Sequence, residues 1–323
     1  MAAERLSAPD PGCLAVHRRA RLPGSDGCGG RGHSQVPREG PRNWRGGVRV
    51  IMQNDRPAEP GLSVALTCFN SERTLERALS SVSFADEIVV VDSGSTDSTL
   101  EIARRFTDRI IAQEFLGYGP QKNLALEACS REWIFVLDSD EELSPWLAEE
   151  VRAVVAGSIS GYRVYSMPRL SCFIDRWMRH GGWYPDRVTR LVSRGTGRFS
   201  EEAVHETFVT DYPAGNLKGD LLHHTYTSVS DYVLRQDRYS SLAARQILQS
   251  GRHPRISSGR MALTLLRKFL EVYVLKRGFL DGQHGFVVAC LAAYSVFLRQ
   301  AKLWKPEECF KADRFPENKG VSR

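Results

Sequence analysis

Carboxylate side chains follow an apolar run near the middle of the chain, and their spacing suits the binding of a cation. The run Trp133–Leu137 has no polar residue, as in a strand that is buried on both faces. Asp138 and Asp140 come next, and side chains two positions apart in an extended segment lie on the same side. Such close carboxylates repel each other unless a cation joins them, and a divalent cation carrying a phosphorylated ligand would do so. Otherwise the acidic run would be a loop before a helix that begins at Ser144-Pro145.

Histidine and glutamate side chains recur further along the chain. Glu202, His205 and Glu206 lie close together in the sequence, and His223-His224 follows. Transfer of a proton to or from a reacting hydroxyl group uses side chains of these types. A lone histidine is more often structural, but the recurrence downstream of the acidic run favours a role in the same site.

The segment Arg176–Pro185 is rich in arginine, tryptophan and glycine. Its arginines would bind phosphate and its tryptophans would stack on a sugar ring. Equally, the segment would be a surface loop that its aromatic side chains hold in place. The sequence leaves both interpretations open.

The elements that must position these groups alternate between strand and helix. Four apolar runs predict strands, at 62–67, 87–92, 109–112 and 133–137. Amphipathic segments between them predict helices, the first with Asn70 as its N-cap. This order is typical of a parallel sheet wrapped by helices, whose strands end at one edge, so Asp92 and Asp138 would face one crevice. No Gly-x-Gly-x-x-Gly follows the first strand, so a dinucleotide-binding fold is not expected.

Composition fits an ordinary globular protein without a disulfide framework. Apolar residues make up 42% of the 323 and charged residues 25%. The seven cysteines include no Cys-x-x-Cys pair, which argues against structural disulfides and zinc and fits a reducing cytosol. Residues 1–51 hold nine arginines and four acidic residues, so they carry +5 of the total net charge of +6. The remainder is nearly neutral, and neither charge nor motif indicates a nucleic-acid partner.

Composition also divides the chain into four regions. Residues 1–60 are rich in Gly, Pro, Arg and Ser and lack apolar periodicity, so we expect a disordered extension. Our hypothesis is that Met52 is the natural start. Residues 61–225 would form the α/β domain, residues 226–304 a helical region, and residues 305–323 a loose tail.

The helical region carries two apolar stretches. From Arg260, polar residues recur at helical spacing among leucines, and Lys276-Arg277-Gly278 closes that helix. Phe286–Leu298 then has no charged residue over thirteen positions, which is shorter than the roughly 20 that span a bilayer. This second stretch would be a buried helix, or it would lie in the headgroup region of a membrane with nearby Arg and Lys on anionic lipid.

Several motifs together resemble those of the family 2 inverting glycosyltransferases. The motifs of the predicted sheet are Ser63–Asn70, Ala85–Asp97 and Leu137–Asp140. Later segments are similar to the bacterial branch that includes the lipopolysaccharide core β-1,4-glucosyltransferases: Gly181–Asp186, Val204–Glu206 and Arg277–Gly282. The resemblance spans roughly residues 62 to 300. It implies a GT-A catalytic domain over residues 61–225, an α/β fold with a mostly parallel sheet flanked by helices, and a C-terminal helical extension.

The resemblance further implies the reaction and its participants. A hexose, expected to be glucose, would pass with inversion from a nucleotide-diphosphate sugar such as UDP-glucose to a hydroxyl of a glycan or glycolipid such as lipopolysaccharide core. The implied donor-binding residues are Thr67, Glu72, Asp92 and Asp138. The implied ligands of Mg²⁺ or Mn²⁺ are Asp140, Asp138 and His223, and the cation neutralises charge on the departing diphosphate. The enzyme would be cytoplasmic and would contact the cytoplasmic face of the inner membrane.

Two positions depart from the family's pattern. Asp92-Ser93 stands where many relatives have Asp-Asp, which bears on the nucleoside contact. The Glu-Asp doublet that supplies the base in many relatives is absent. We expect Glu206 to be the base, with Glu202 as the second candidate and His205 as an orienting group.

Two other classes of protein remain as hypotheses. A nucleotidyltransferase that forms the sugar nucleotide would share the α/β core and the metal-binding carboxylates. Such enzymes open with a glycine-rich basic loop after the first strand, and Thr67–Asn70 is unlike one. A catalytically inactive module that binds sugar nucleotides would not need the carboxylates at 201–206.

Overall fold

The structure is a computed structural model that describes residues 59–201, 206–251 and 254–305. The expectations for residues 1–58, including a start at Met52, and for residues 306–323 lie outside the described residues. The first strand begins at Glu59, two residues before the position at which we expected order to begin.

The described residues contain twelve strands and seven α-helices. The strands are β1 (Glu59–Cys68), β2 (Glu87–Asp92), β3 (Ile110–Ala112), β4 (Arg131–Asp138), β5 (Glu141–Leu143), β6 (Val164–Phe173), β7 (Arg176–Trp177), β8 (Asp186–Ser193), β9 (Arg198–Phe199), β10 (Phe208–Val209), β11 (Ala214–Asn216) and β12 (Leu221–Tyr226). The helices are α1 (Leu75–Ser81), α2 (Thr99–Arg104), α3 (Tyr118–Ala128), α4 (Pro145–Val155), α5 (Val229–Gln249), α6 (Ser258–Leu270) and α7 (Gly282–Trp304). A π-helical turn, Glu271–Leu275, and a 3-10 turn, Gly278–Asp281, connect α6 to α7.

Ten of these strands form one sheet that begins with a parallel half. The strand order is β3-β2-β1-β4-β8-β6-β12-β5, with β7 and β11 paired to β6. The neighbours β3, β2, β1 and β4 are parallel, and β8 joins β4 in the antiparallel sense. The predicted α/β fold, a mostly parallel sheet flanked by helices with a helical extension after it, is confirmed.

The central strands are apolar on both faces because helices cover both faces. Val64 and Leu66 of β1 belong to a core that also holds side chains of α1, α2 and α4. Between them, Ala65 faces the other side and belongs to a second core with Ala125 and Ala128 of α3. This double burial explains why these strands appear in the sequence as continuous apolar runs.

The starts of two helices show where sequence signals succeed and fail. Ser144 caps α4 as the sequence indicates, since its Oγ accepts a hydrogen bond from the Leu147 amide at 3.2 Å. The prediction that Asn70 caps α1 is wrong, because α1 begins only at Leu75. Asn70 lies in the left-handed region, with φ of 47°, and its Oδ1 accepts a hydrogen bond from the Thr96 amide at 2.8 Å. It therefore ties the loop after β1 to the loop after β2.

The described residues after β12 are helical up to Trp304. Gly278–Trp304 is long and apolar enough by length and composition to span a membrane, and an 18-residue window within it reaches a mean hydropathy of 1.4. The expectation that this stretch is too short to span a bilayer does not hold for the whole helix, because α7 extends from Gly282 to Trp304 and so continues beyond Phe286–Leu298 at both ends. One side of α7 nonetheless packs inward, where Val288 joins the core around Phe173. The division into domains at residue 225 stays a prediction.

Candidate active site

The pairing of the central strands brings two acidic residues to the carboxyl edge of the sheet. On β1, Thr67 is in register with Asp138 of β4, and Cys68 is in register with Asp92 of β2. The two aspartates therefore lie at the ends of β2 and β4, the two strands that flank β1. Open α/β sheets bind their ligands at this edge.

Asp92 is buried and organises the turn that follows it. Its carboxylate accepts hydrogen bonds from the Gly94 amide at 3.0 Å and from the Ser95 amide at 2.9 Å. The Ser95 hydroxyl donates to the same carboxylate and accepts a bond from the Asn70 amide at 2.8 Å. Asp92 thus fixes the shape of the loop at the donor side predicted from the sequence.

The loop after β1 reaches toward the carboxylates at the end of β4. Thr67 is half-buried at the end of β1. The Ser71 and Ser139 hydroxyls lie 2.8 Å apart, which links this loop to the residue between Asp138 and Asp140. Glu72 accepts a hydrogen bond from the Ser98 amide at 3.2 Å, so its carboxylate lies against the start of α2.

Asp138 lies between two buried cations. Its Oδ1 is 2.9 Å from Lys122 Nζ, and its Oδ2 is 2.5 Å from Arg190 Nη2. Burial alone would raise the pKa of Asp138, but Arg190 and Lys122 outweigh it and hold the pKa well below its usual value. Asp138 is therefore ionised at neutral pH.

The acidic run also serves the interior of the sheet. Glu141 is 1% exposed and its Oε1 lies 2.8 Å from Arg190 Nη2. Arg169 lies 3.5 Å from the same oxygen and 2.6 Å from Asp186. Glu141 is thus a structural partner of two arginines. It lies in strand β5 and is not part of an acidic loop.

Asp140 lies in the turn between β4 and β5, and its carboxylate faces His223 of β12. Asp140 Oδ2 lies 3.4 Å from His223 Nε2, and the aspartate is about one-third exposed. On the other side of the ring, His223 Nδ1 lies 2.9 Å from Thr225 Oγ1 and 3.2 Å from Ser171 Oγ. Burial would raise the pKa of Asp140, but the charge and hydrogen bond of His223 lower it below its usual value. The structure therefore brings together two of the three residues that the resemblance implies as metal ligands, Asp140 and His223.

Glu206 reaches the same edge through Lys122. Lys122 Nζ lies 2.7 Å from Glu206 Oε1, and the lysine side chain is only 4% exposed. The ammonium therefore bridges Glu206 and Asp138. Glu202 and His205, the other two candidates of this segment, lie outside the described residues.

One turn of α3, formed by three successive polar residues, holds the site together. Gln121, Lys122 and Asn123 are all buried. Gln121 Nε2 donates to Ser93 Oγ at 3.1 Å. Asn123 exchanges two hydrogen bonds with the backbone of Phe199, at 2.9 and 2.7 Å. This turn therefore connects the loop after β2, the end of β4 and the segment that leads to Glu206.

Sequence reasoning missed this turn and also missed Arg190. The available signal is a run of three polar residues inside a helix, with the apolar residues Pro120 and Leu124 on either side of it. Gly119 adds a second signal, because a Cβ at this position would lie 1.8 Å from the Ser200 carbonyl oxygen. Only glycine allows α3 to approach the segment before Glu206 so closely.

Aromatic contacts fix the loop at 176–185. Trp183 packs on Phe173 and Tyr226, with ring centroids 6.0 Å apart in both pairs. Trp177 lies with its ring centroid 5.1 Å from that of His224, next to His223. The aromatic side chains hold this loop beside the candidate site, which supports the surface-loop interpretation for Trp183.

A cavity of about 490 Å³ lies at the opposite, amino-terminal edge of the sheet. Its arginines are paired with acidic side chains: Arg105 with Glu76, Arg109 with Glu87 and Arg131 with Glu59. These pairs neutralise the lining, so this cavity offers no charge to an anionic ligand. The candidate active site is therefore the cluster at the carboxyl edge of the sheet.

An α/β sheet with two strand-end aspartates on its carboxyl edge, and a glutamate and a histidine beside them, agrees with the GT-A fold that the resemblance to the glycosyltransferases implies. The family model described as glycosyl transferase family 2 matches residues 63–194. The chain belongs to this family, and it is a glycosyltransferase. This confirms the resemblance found in the sequence and favours transfer over sugar-nucleotide formation.

Two proteins similar in sequence to the chain agree with this assignment. The lipopolysaccharide core biosynthesis glycosyltransferase LpsC of Rhizobium meliloti (strain 1021) is 34% identical over 258 residues, which cover 76% of this chain and 92% of LpsC. An uncharacterized glycosyltransferase of Rickettsia bellii (strain RML369-C) is 30% identical over 75% of this chain and 85% of its own length. Among solved structures, S. aureus TarS 1-349 is 16% identical with a TM-score of 0.35, over 79% of this chain and 93% of TarS 1-349.

Proposed function

We propose that the chain is an inverting hexosyltransferase that moves glucose from UDP-glucose to a hydroxyl of a lipopolysaccharide core acceptor. The observation that carries the proposal is the arrangement of Asp138, Asp140, His223 and Glu206 at one edge of the sheet. The similarity to LpsC, a protein named for lipopolysaccharide core biosynthesis, supports the choice of acceptor.

The donor would bind where the loops after β1 and β2 meet. Asp92 holds the turn at Gly94 and Ser95, and Asn70 joins that turn to the loop after β1. We assign Thr67, Glu72 and this turn to the nucleoside. The carboxylate of Asp92 is already bonded within its turn, so we assign it the positioning of the turn.

The residues around Asp140 fit a divalent cation, Mg²⁺ or Mn²⁺. A separation of 3.4 Å between Asp140 Oδ2 and His223 Nε2 suits two ligands of one ion, and the contacts of His223 Nδ1 leave Nε2 available. The described residues contain no cluster of three or more acidic, histidine or cysteine ligands, so the donor's phosphates would complete the coordination. When bound, the cation would neutralise the negative charge that develops on the departing diphosphate.

Glu206 would accept the proton of the attacking acceptor hydroxyl. Lys122 fixes one oxygen of its carboxylate at 2.7 Å and also holds Asp138. The same ammonium thus positions both the base and the donor-side aspartate. This fixed arrangement would orient the acceptor hydroxyl relative to the departing diphosphate. A single displacement of this kind inverts the anomeric carbon and needs no protein nucleophile.

We place the enzyme on the cytoplasmic face of the inner membrane. Nucleotide sugars serve as donors there, and a lipopolysaccharide core acceptor is anchored in that membrane. The exposed apolar side chains of α6 and the apolar α7 support this placement.

The product of the reaction tests the proposal. Purified full-length protein would be incubated with Mg²⁺, UDP-glucose and a lipopolysaccharide core acceptor, and the new linkage would be determined by NMR. We expect a β-linked glucose from the α-linked donor. An α-linked product would contradict the inverting mechanism, and transfer from another sugar nucleotide alone would contradict the choice of glucose. Binding of UDP-glucose without any transfer would support the inactive module.

A further inference from the structure

The helix α6 and the π-helical turn that follows it expose an apolar surface that we call the α6 stripe: Leu263, Leu266, Leu270, Val274 and Leu275. The exposed fractions of these side chains range from 44% at Leu270 to 77% at Leu275. None of the thirteen residues of α6 is buried. Positions 263, 266, 270 and 274 recur at intervals of three and four, so they share one face of the helix.

An adjacent side of the same helical segment already has a partner within the chain. The ring centroids of Phe269 and Tyr273 lie 5.9 and 5.7 Å from that of Phe286 on α7. These aromatic contacts attach α6 to α7, while the side chains of the stripe stay exposed. Among the described residues, nothing buries the stripe.

Basic residues surround the stripe. Residues 258–280 contain five basic side chains and one acidic side chain, a net charge of +4: Arg260, Arg267, Lys268, Lys276, Arg277 and Glu271. Glu271 is bonded to Lys268 at 3.1 Å and to Lys276 at 2.7 Å. Arg267 lies at helical spacing from both Leu263 and Leu270, beside the stripe. An amphipathic helix with leucines on one face and arginines at its border matches an anionic lipid surface. A second copy of the chain would bring like charges together.

We propose that the α6 stripe inserts into the headgroup region of an anionic bilayer, with α6 parallel to the membrane plane. The same segment is tied to the loop beside the candidate site. The Gly181 amide donates to the Lys276 carbonyl at 2.8 Å, and the His180 amide donates to Asp281 at 2.8 Å. Docking would therefore hold Trp177 and the site opening close to the lipid. The placement of the site opening near the lipid rests on the proposed function, because it matters only for an acceptor that is itself a lipid.

Sedimentation with vesicles tests the docking without any sugar substrate. The full-length protein would be mixed with vesicles of phosphatidylglycerol and phosphatidylcholine, or of phosphatidylcholine alone. We expect binding to the anionic vesicles that weakens with added salt, since each basic residue near the surface contributes about fivefold in affinity. The variant Arg260→Gln/Arg267→Gln should bind about 30-fold more weakly. The variant Leu263→Gln/Leu266→Gln/Leu270→Gln should lose at least about tenfold.

Matched controls and a second assay make the outcome decisive. Trp146 of α4 is 56% exposed and lies outside the stripe, so Trp146→Gln should bind vesicles like the parent chain. Equal binding by the stripe variants and Trp146→Gln would overturn the proposal, as would no binding to anionic vesicles. Loss of a dimer in the stripe variants with unchanged vesicle binding would assign the surface to a second copy and would also overturn it. Transfer to a lipid-free core oligosaccharide, measured on the same variants, should be unchanged; failure of that transfer in the parent chain would instead count against the proposed function.

Discussion

Lys122 Nζ lies 2.7 Å from Glu206 Oε1 and 2.9 Å from Asp138 Oδ1, so one ammonium joins a helix, a strand end and a segment 84 residues further along the chain. The lysine is 4% exposed and also lies over the ring of Phe199, 5.4 Å from its centroid. Burying a charge is costly unless oppositely charged groups surround it. The two carboxylates therefore stabilise the buried lysine, and the lysine in turn fixes the distance between them.

Removal of this ammonium should destabilise the fold. Lys122→Met would leave Glu206 without its cation and Asp138 with Arg190 alone. We expect the free energy of unfolding in urea to fall by about 2–4 kcal/mol. This decrease is smaller than for a fully buried pair because both carboxylates are partly exposed. Lys218→Met, at an exposed lysine, should change it by less than about 0.5 kcal/mol. A similar small effect of Lys122→Met would show that the bridge contributes nothing to stability.

Neutralising Glu206 should impair the chemical step more than donor binding. Glu206→Gln keeps the shape of the side chain but cannot accept the acceptor's proton, so kcat should fall by about 10²- to 10⁴-fold. The affinity for UDP-glucose, measured by calorimetry, should stay within about threefold. Glu201→Gln is the matched control, since Glu201 is exposed and bonded to Arg198. Full activity of Glu206→Gln would place the base elsewhere.

The stability of the protein should depend on pH through Asp138. Arg190 and Lys122 hold its pKa below the usual 3.8 despite burial, so the unfolded chain takes up a proton at higher pH than the folded chain. The contribution is fully present above about pH 5 and is lost as the pH falls from about 4 toward the folded pKa. Asp138→Asn should remove this part of the slope in urea unfolding between pH 5 and 2. Asp211→Asn, at an exposed residue, should retain the slope, and equal slopes for both variants would contradict the account.

Sequence patterns predicted elements whose signals are local. Strand β2 occupies Glu87–Asp92 as predicted, and α4 begins after the Ser144 cap. The alternation of apolar strands and amphipathic helices then determines a parallel sheet whose edge gathers Asp92 and Asp138. These features follow from periodicity, capping and chain connectivity, which a single sequence contains.

The remaining features depend on contacts between distant segments. Arg190 comes from an antiparallel strand inserted beside β4, and its pairing with Asp138 spans 52 positions. Asparagine is a residue type that favours helix N-caps, yet the conformation of Asn70 is determined by the hydrogen bond that it accepts from the distant Thr96 amide. Lys122 appears in the sequence as an ordinary solvated helix residue. Burial of such polar groups is visible only once the packed neighbours are known.

The central claim concerns a cation bound between Asp140 and the donor. The most direct measurement is the rate of glucose transfer to lipopolysaccharide core as Mg²⁺ or Mn²⁺ is titrated into protein treated with chelator, for the parent chain, Asp140→Ala and Asp211→Ala. We predict that transfer requires the added cation in the parent and in Asp211→Ala. Asp140→Ala should show no metal-dependent turnover while it unfolds within about 0.5 kcal/mol of the parent. Transfer at full rate in excess chelator, or by Asp140→Ala, would contradict the account.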